Sequence, residues 1–323
     1  MKAIVIEKFG GPECLVIQDL AEPEPKPGHA VIQVKAFGIN HAEMHMRKGE
    51  WAEAMPVSGI ECVGIVKACP GGEFAVGSKV AALMGGLGRT INGSYAEYTN
   101  APVSNIVKIE SDLPWETLAA IPESYATAWT CLFRNIELKK GQTLLIRGAT
   151  SSLGQAALNL AVRAGARVIT TTRNEMRFAK LKEMGAIQVE VERPDLSEHF
   201  QEKGKVDAVL NLVGNSVLLD TMKILRRGGR MCLAGFLGGL EPVKDFNPLL
   251  QMASGVHFSF FGSFAFGTPE FPLSDVPLQS IAEDVANGCF SAKPSRVFRF
   301  DEISEAHRVM ESNQANGKMV VVV

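Results

Sequence analysis

Over the first hundred residues, apolar positions come in short runs of strand length. Ala3 to Glu7, Leu15 to Gln18, His29 to Phe37, Gly59 to Ala68 and Lys79 to Leu83 are such runs. Gly and Pro punctuate them at Gly10-Gly11-Pro12, Pro23 to Gly28 and Pro70-Gly71-Gly72. The pattern predicts an all-β region with short connections, a barrel or rolled sheet. The stretch Glu22 to Gly28 is excluded as a central strand, because its prolines lack the N–H a ladder needs.

From about residue 116 the period changes. Trp115 to Asn135 reads as helical segments, and strands then alternate with amphipathic helices. The predicted strands are Thr143–Ile146, Arg167–Thr171, Ile187–Val191, Ala208–Val213, Arg230–Ala234 and His257–Phe261. Helices are predicted at Leu153–Ala164 and Glu175–Met184. Such alternation predicts a parallel sheet covered on both faces, and six strands make a dinucleotide-binding sheet. From residue 266 the texture of the first region returns. It gives a helix at Leu278–Asn287, a strand at Val297–Phe300, a helix at Ile303–Ser312 and a strand at Lys318–Val323. The expected fold is therefore α/β: a β domain over residues 1–120, a doubly wound parallel sheet over 121–265, and a tail over 266–323 that returns to the β domain.

Composition narrows the class. With 323 residues, 46% of them hydrophobic and 21% charged, the chain is ordinary globular protein of two-domain size. The net charge is −2 and the 33 basic residues are dispersed, so no nucleic-acid partner is expected. No apolar run approaches the roughly 20 residues that span a bilayer. Met1 to Val5 reads as a strand rather than a signal peptide. The six cysteines are scattered and none forms a C-x-x-C pair, the usage expected of reduced thiols in the cytoplasm.

The most informative stretch is Leu144 to Ala157, an apolar strand, a small-residue turn and the start of an alanine-rich helix. A diphosphate needs close backbone approach and the free N–H groups of a helix N-terminus. Gly148 and Ala149 permit the turn, and Ser151 and Ser152 offer a cap and hydroxyls. Leu153 opens the helix, and Gly154 lets it press on the strand. Strict G-x-G-x-x-G spacing is missing, but a second strand follows at the right distance. That strand ends in Thr172-Arg173, with Arg177 one helical turn on, where NAD enzymes place an acid for the ribose hydroxyls. Two guanidiniums there suit a 2′-phosphate, which makes NADPH the expected cofactor. Glu190 and Glu192 end the third strand and oppose that attraction slightly.

The chain resembles the zinc-free quinone-oxidoreductase (zeta-crystallin-like) branch of the medium-chain dehydrogenase/reductase superfamily over nearly its whole length. The markers include Gly38-Ile39-Asn40, Arg47-Lys48-Gly49, Gly59 to Val66, Gly93 to Tyr98, Ala120-Ile121-Pro122 and Thr127-Ala128-Trp129. They continue through the turn at Gly148, Arg227-Gly228-Gly229-Arg230, Ala306-His307 and Gly317 to Val320. The resemblance implies a GroES-like β domain, a Rossmann domain and a cofactor between them. It places the zinc ligands of the metal-dependent relatives at Asn40, Ile60 and about Glu123, none of them Cys or His, so no metal is expected. Without a Lewis acid, hydride transfer from NADPH to a quinone or an α,β-unsaturated carbonyl is the expected reaction.

Four residues are candidates for the chemistry. Asn40 either donates its amide to a substrate oxygen or holds a loop. His45 is either a proton donor or an ordinary histidine. Trp51 stands where many relatives carry tyrosine, keeping an aromatic wall without a phenolic proton. Thr127 matches the family threonine beside the nicotinamide. Gly214, Gly235, Phe236 and Leu237 end later strands at the carboxyl edge, where dinucleotides bind. Asn316 and Lys318 match a tail motif that closes over the cofactor, though Lys318 also reads as a solvated charge. Phe258, Phe260, Phe261, Phe264 and Phe266 crowd the last strand of the sheet, as an edge for a homodimer, a pocket wall or core. Two other functions stay open: an NADPH-binding structural or regulatory protein, and a zinc alcohol dehydrogenase with unusual ligands.

Overall fold

Strand-length apolar runs become strands wherever a neighbour can bury them. The computed structural model describes residues 1–201 and 205–323. The chain forms β1 (Lys2–Ile6), β2 (Leu15–Asp19), β3 (His29–Ile39), β4 (Glu61–Ala68), β5 (Lys79–Leu83), β6 (Tyr98–Pro102) and β7 (Ile106–Lys108). Next come β8 (Thr143–Arg147), β9 (Arg167–Thr172), β10 (Gln188–Val191), β11 (Val206–Asn211), β12 (Leu225–Leu233) and β13 (His257–Phe260). The tail adds β14 (Arg296–Arg299) and β15 (Met319–Val322). Two units result: Met1–Ala126 with Ser263–Val323, and Thr127–Gly262.

In the first unit, β1 and β2 form an antiparallel hairpin, and a seven-stranded sheet runs β14-β15-β3-β4-β5-β7 with β6 also on β3. The tail enters through β15, which pairs antiparallel with β3 from Met319↔Ile39 to Val322↔Ala36. Its Met319, Val320 and Val321 are fully buried, and the β-branched run fits a strand inside the sheet. Ile4, Ile32, Phe37, Ile39, Leu87 and Val321 share one core. A second tie is electrostatic. Arg47, buried in the helix His41–Lys48, donates to the Gly10 carbonyl, to Glu311 and, at 3.3 Å, to His307.

The second unit is a six-stranded parallel sheet in the order β10-β9-β8-β11-β12-β13. The order reverses between β8 and β11, the switch point at whose carboxyl end ligands bind. Leu145, Ile169, Val209, Met231 and Leu233 form the sheet side of its core. The helix Ser152–Arg163 buries the small Ala156, Ala157 and Ala161 together with Leu158 and Leu160. β12 begins at Leu225, five residues before the predicted start, and its register with β11 shifts between Val206 and Ala208, opposite a stretch that holds Gly228 at φ +76°.

Candidate functional site

In the second unit, the turn after β8 is held from beneath. Gly148 sits at φ +83°, a conformation only glycine takes without strain. Its N–H donates to Thr171 Oγ1 at 3.0 Å, and the Ala149 N–H donates to the Thr171 carbonyl at 3.1 Å. Ser151 caps the helix, accepting from the Gly154 N–H at 3.1 Å and donating to the Gly148 carbonyl at 2.9 Å. A Cβ on Gly154 would lie 2.6 Å from Ala149 Cα, so only glycine lets the helix start this close to the turn. The N–H groups of Ser152 and Leu153 have no partner among the described residues. They stand at the positive end of a 12-residue helix, the geometry that suits an anion.

The neighbouring strand ends complete this edge. Asn211 Oδ1 accepts from the Val213 and Gly214 N–H groups, each at 3.0 Å, and fixes Gly214 at φ +110°. A Cβ on Gly235 would lie 2.8 Å from the Leu212 carbonyl. Leu237 donates its N–H to that carbonyl at 3.1 Å, and its side chain faces Gly148. Phe236 lies against Gly214 and Phe260. At the end of β9, Thr172 is buried and its hydroxyl accepts from the Asn174 N–H at 3.2 Å. Arg173 is exposed and Arg177 half-buried, and neither guanidinium has a partner among the described residues. The Lys180 pKa is lowered, by burial first and then by the charge of Arg177, so positive charge concentrates here.

The first unit holds a buried polar cluster. Asn40 caps the helix His41–Lys48, and Glu43 reaches back to accept from the Asn40 N–H at 2.7 Å. The Asn40 amide nitrogen donates to Glu61 Oε1 at 2.9 Å and to Glu43 Oε1 at 3.3 Å. Its oxygen accepts from Lys318 Nζ at 2.6 Å. Lys318 also pairs with Glu61, which is wholly buried, and the lysine is only 7% exposed, so it is not a solvated charge. The other Glu61 oxygen accepts from the Glu123 N–H at 2.8 Å, and Ile60 N–H donates to Glu43 at 3.1 Å. Burial pushes the Glu43 carboxyl up to about 7, against the pull of Lys318 and of the Ile60 N–H. Asn40 therefore has both ends of its amide committed internally, the condition of a residue that holds structure.

His45 bonds Glu50 through Nδ1 and stacks on Trp51, with ring centroids 5.7 Å apart. Thr127 is buried in the helix Pro122–Trp129, and Asn316 is exposed at φ +56°. The phenylalanines divide: Phe258 and Phe260 are exposed on β13 and Phe264 is exposed beyond it, while Phe261 and Phe266 are core. Among the described residues, one set of three metal-capable side chains converges, Asp195, Glu198 and His199, all exposed.

Comparison with known proteins agrees with this arrangement. Residues 26–111 match the alcohol dehydrogenase GroES-like domain, and residues 152–276 match the zinc-binding dehydrogenase family. The quinone oxidoreductase of Pongo abelii is 29% identical over 335 residues, covering 100% of this chain and 98% of the relative. The chain belongs to the quinone-oxidoreductase branch of the medium-chain dehydrogenases/reductases. It is thus an oxidoreductase by family. Solved structures resemble it over their full length. A mycobacterial protein in complex with NADPH superposes with a TM-score of 0.87 at 25% identity, covering 100% of both chains. An NAD-dependent alcohol dehydrogenase superposes at 0.84 with 27% identity, again over 100% of both. Both nicotinamide nucleotides thus occur among these neighbours.

Three further residues of this quinone-oxidoreductase chain were missed by sequence reasoning. Glu43 was legible as the partner three residues after an Asn cap, followed by Gly49 at φ +71°. Glu61 is a marker residue, but its partners lie 21 and 257 residues away. Arg147 signalled itself as a charge ending an apolar strand, and it is fully buried.

Proposed function

We propose that the protein is an NADPH-dependent reductase that delivers hydride to a quinone or an α,β-unsaturated carbonyl without a metal ion. The observation that carries the cofactor choice is the pair of unpartnered guanidiniums, Arg173 and Arg177, after β9. They offer a 2′-phosphate charge-assisted hydrogen bonds where an NAD enzyme offers a carboxylate. The Ser152 and Leu153 N–H groups, at the helix N-terminus, receive the diphosphate, while Gly148, Ala149, Ser151 and Gly154 shape the approach. Gly214, Gly235, Phe236 and Leu237 line the same carboxyl edge. When bound, NADPH supplies the hydride.

The metal-free reading is supported by the donor set. Ile60 offers hydrocarbon and Asn40 an amide that already accepts from Lys318. The ammonium of Lys318 occupies the place of a cation between Asn40 and Glu61, and a second cation beside it would be repelled. Asn40 and Lys318 position the start of the helix His41–Lys48. On that helix His45, oriented by Glu50, forms with Trp51 an aromatic wall for a planar acceptor. The family pattern assigns Thr127 to the nicotinamide and Asn316 to the tail motif. The relatives named as quinone oxidoreductases support the acceptor class. We also propose a homodimer formed through β13 and a cytosolic setting suited to six free cysteines.

The test follows NADPH and NADH oxidation in metal-free buffer with a quinone and with a small enone. Turnover should favour NADPH and withstand chelators. Arg173→Ala with Arg177→Ala should raise the NADPH KM by about 10- to 100-fold and leave the NADH KM nearly unchanged. A wild-type preference for NADH would overturn the cofactor reading. Folded protein that turns over neither nucleotide with either acceptor would overturn the reductase reading in favour of a binding role.

A further inference from the structure

Arg147 ends β8 immediately before the phosphate turn and has no exposure to solvent. A guanidinium carries five N–H donors, and here all are committed. Nε donates to both oxygens of Glu192, at 3.2 and 3.3 Å. Nη1 donates to Asp220 at 2.9 Å and to Thr221 Oγ1 at 2.8 Å. Nη2 donates to Glu192 at 2.5 Å and to the Arg193 carbonyl at 2.6 Å. Glu192 takes one more hydrogen bond, from the Thr171 hydroxyl. That hydroxyl in turn accepts from the Gly148 N–H.

Glu192 stands in a telling place. Its N–H donates to the Thr172 carbonyl at 3.0 Å, so it lies beside the strand end whose next residue is Arg173. In NAD enzymes the carboxylate that holds ribose hydroxyls and repels a 2′-phosphate ends the second strand, where Thr172-Arg173 stand here, and Glu192 brings a carboxylate to the same corner from just after the neighbouring β10. Here neither oxygen is free, and a full positive charge is fixed against them. Burying an arginine between two acids is costly unless every donor is satisfied, and that condition is met.

We infer that Arg147 is a specificity-determining positioning residue, which keeps the cofactor site selective for a 2′-phosphate by neutralising and sequestering Glu192. The inference rests on the NADPH reading above. Without Arg147, Glu192 is a free carboxylate beside Arg173 that competes with the phosphate for the arginines and welcomes a ribose diol. The same network braces Gly148, so loss of Arg147 also loosens the turn, which weakens both nucleotides alike. The ratio of the two affinities separates the effects.

The experiment is titration of NADPH and NADH against wild type, Arg147→Met, Glu192→Gln and the double variant Arg147→Met/Glu192→Gln, read by nucleotide fluorescence without acceptor. Arg147→Met should lower the NADPH-over-NADH affinity ratio by about tenfold or more. Glu192→Gln should keep or raise the ratio, and the double variant should recover it. An Arg147→Met ratio equal to wild type, with both affinities reduced, would make Arg147 a structural brace only and overturn the inference. Should Arg147→Met fail to fold, the double variant, which removes the Arg147 and Glu192 charges together and leaves Asp220, decides: a wild-type ratio supports the role, and a lost ratio shows that the arginine charge itself attracts the phosphate. A wild type that prefers NADH condemns the reading of Arg173 and Arg177, whereas a wild type that prefers NADPH with a ratio insensitive to Arg147→Met condemns only this inference.

Discussion

The buried pair Lys318–Glu61 shows how a residue's meaning depends on what faces it. As a sequence letter, Lys318 reads equally as cofactor contact or solvated charge, and nothing local decides, because Asn40 and Glu61 lie 278 and 257 residues away. In the fold it is the cation of a cluster whose remaining groups are an amide and two acids. Removing it leaves Glu61 buried and unpaired, a loss of roughly 3–5 kcal/mol. Lys318→Met should therefore lower the unfolding free energy by about that amount in urea titrations. Lys318→Met with Glu61→Gln should return most of the loss, because the Glu61 charge goes with its partner and the buried Glu43 carboxyl, already pushed up to about 7, takes a proton once Lys318 no longer pulls it down. Two single variants that each cost no more than the double would show that the ion pair is not what holds this corner. The turn residues Gly148, Ser151 and Gly154 were legible for the opposite reason: their partners are within a few residues, so spacing alone carries the geometry.

At the scale of elements, period and punctuation mark every strand of the parallel sheet, because a βα unit buries whole apolar runs. What was not legible is instructive. β6 reads Tyr-Thr-Asn-Ala-Pro, with few apolar residues and a terminal proline, and only its pairing with β3 makes it a strand. The helix His41–Lys48 buries its charged Glu43 and Arg47, so no apolar stripe marks it and its caps specify it instead. The junction of β8 with the helix Ser152–Arg163 depends on one missing side chain. In Gly154→Ala the new methyl would meet backbone, 2.6 Å from Ala149 Cα and 2.7 Å from the Gly148 carbonyl oxygen, so it cannot be relieved by a rotamer change. The helix has to withdraw from the turn. The expected outcome is a loss of about 1–3 kcal/mol in stability and roughly tenfold weaker binding of both NADPH and NADH. Calorimetric titration of each nucleotide checks this, and equal weakening distinguishes turn geometry from the selective loss expected at Arg147. Unchanged affinity would mean that the helix N-terminus is not the anion seat.

For the whole molecule, β13 is the edge that calls for a cover. It is hydrogen-bonded to β12 on one side only and ends the six-stranded sheet. The Phe261 N–H points back to the Leu233 carbonyl, so by strand alternation the backbone groups of Phe258 and Phe260 face the free edge. The side chains there are apolar, with Phe258 39% and Phe260 49% exposed, and Leu249 and Leu250 of the same unit are exposed at 87% and 79%. A flat apolar edge left open invites aggregation, and natural proteins blunt such edges with lysine, proline or a covering element. None of these lies within β13 itself, which reads His-Phe-Ser-Phe. A second copy of the same strand, related by a two-fold axis, satisfies the free backbone groups and buries both phenylalanines at once. Light scattering should then return twice the 34.8 kDa of one chain. The variant to use is Phe258→Lys rather than a change at Phe260, because Phe260 packs on Phe236 beside the carboxyl-edge loop, whereas Phe258 has no such ring contact among the described residues. Phe258→Lys should sediment as a monomer while keeping NADPH affinity within about twofold, since a charge on the edge acts on association and leaves the turn after β8 intact. A wild-type protein that is monomeric at micromolar concentration, or a Phe258→Lys variant that remains dimeric, would remove β13 from the interface.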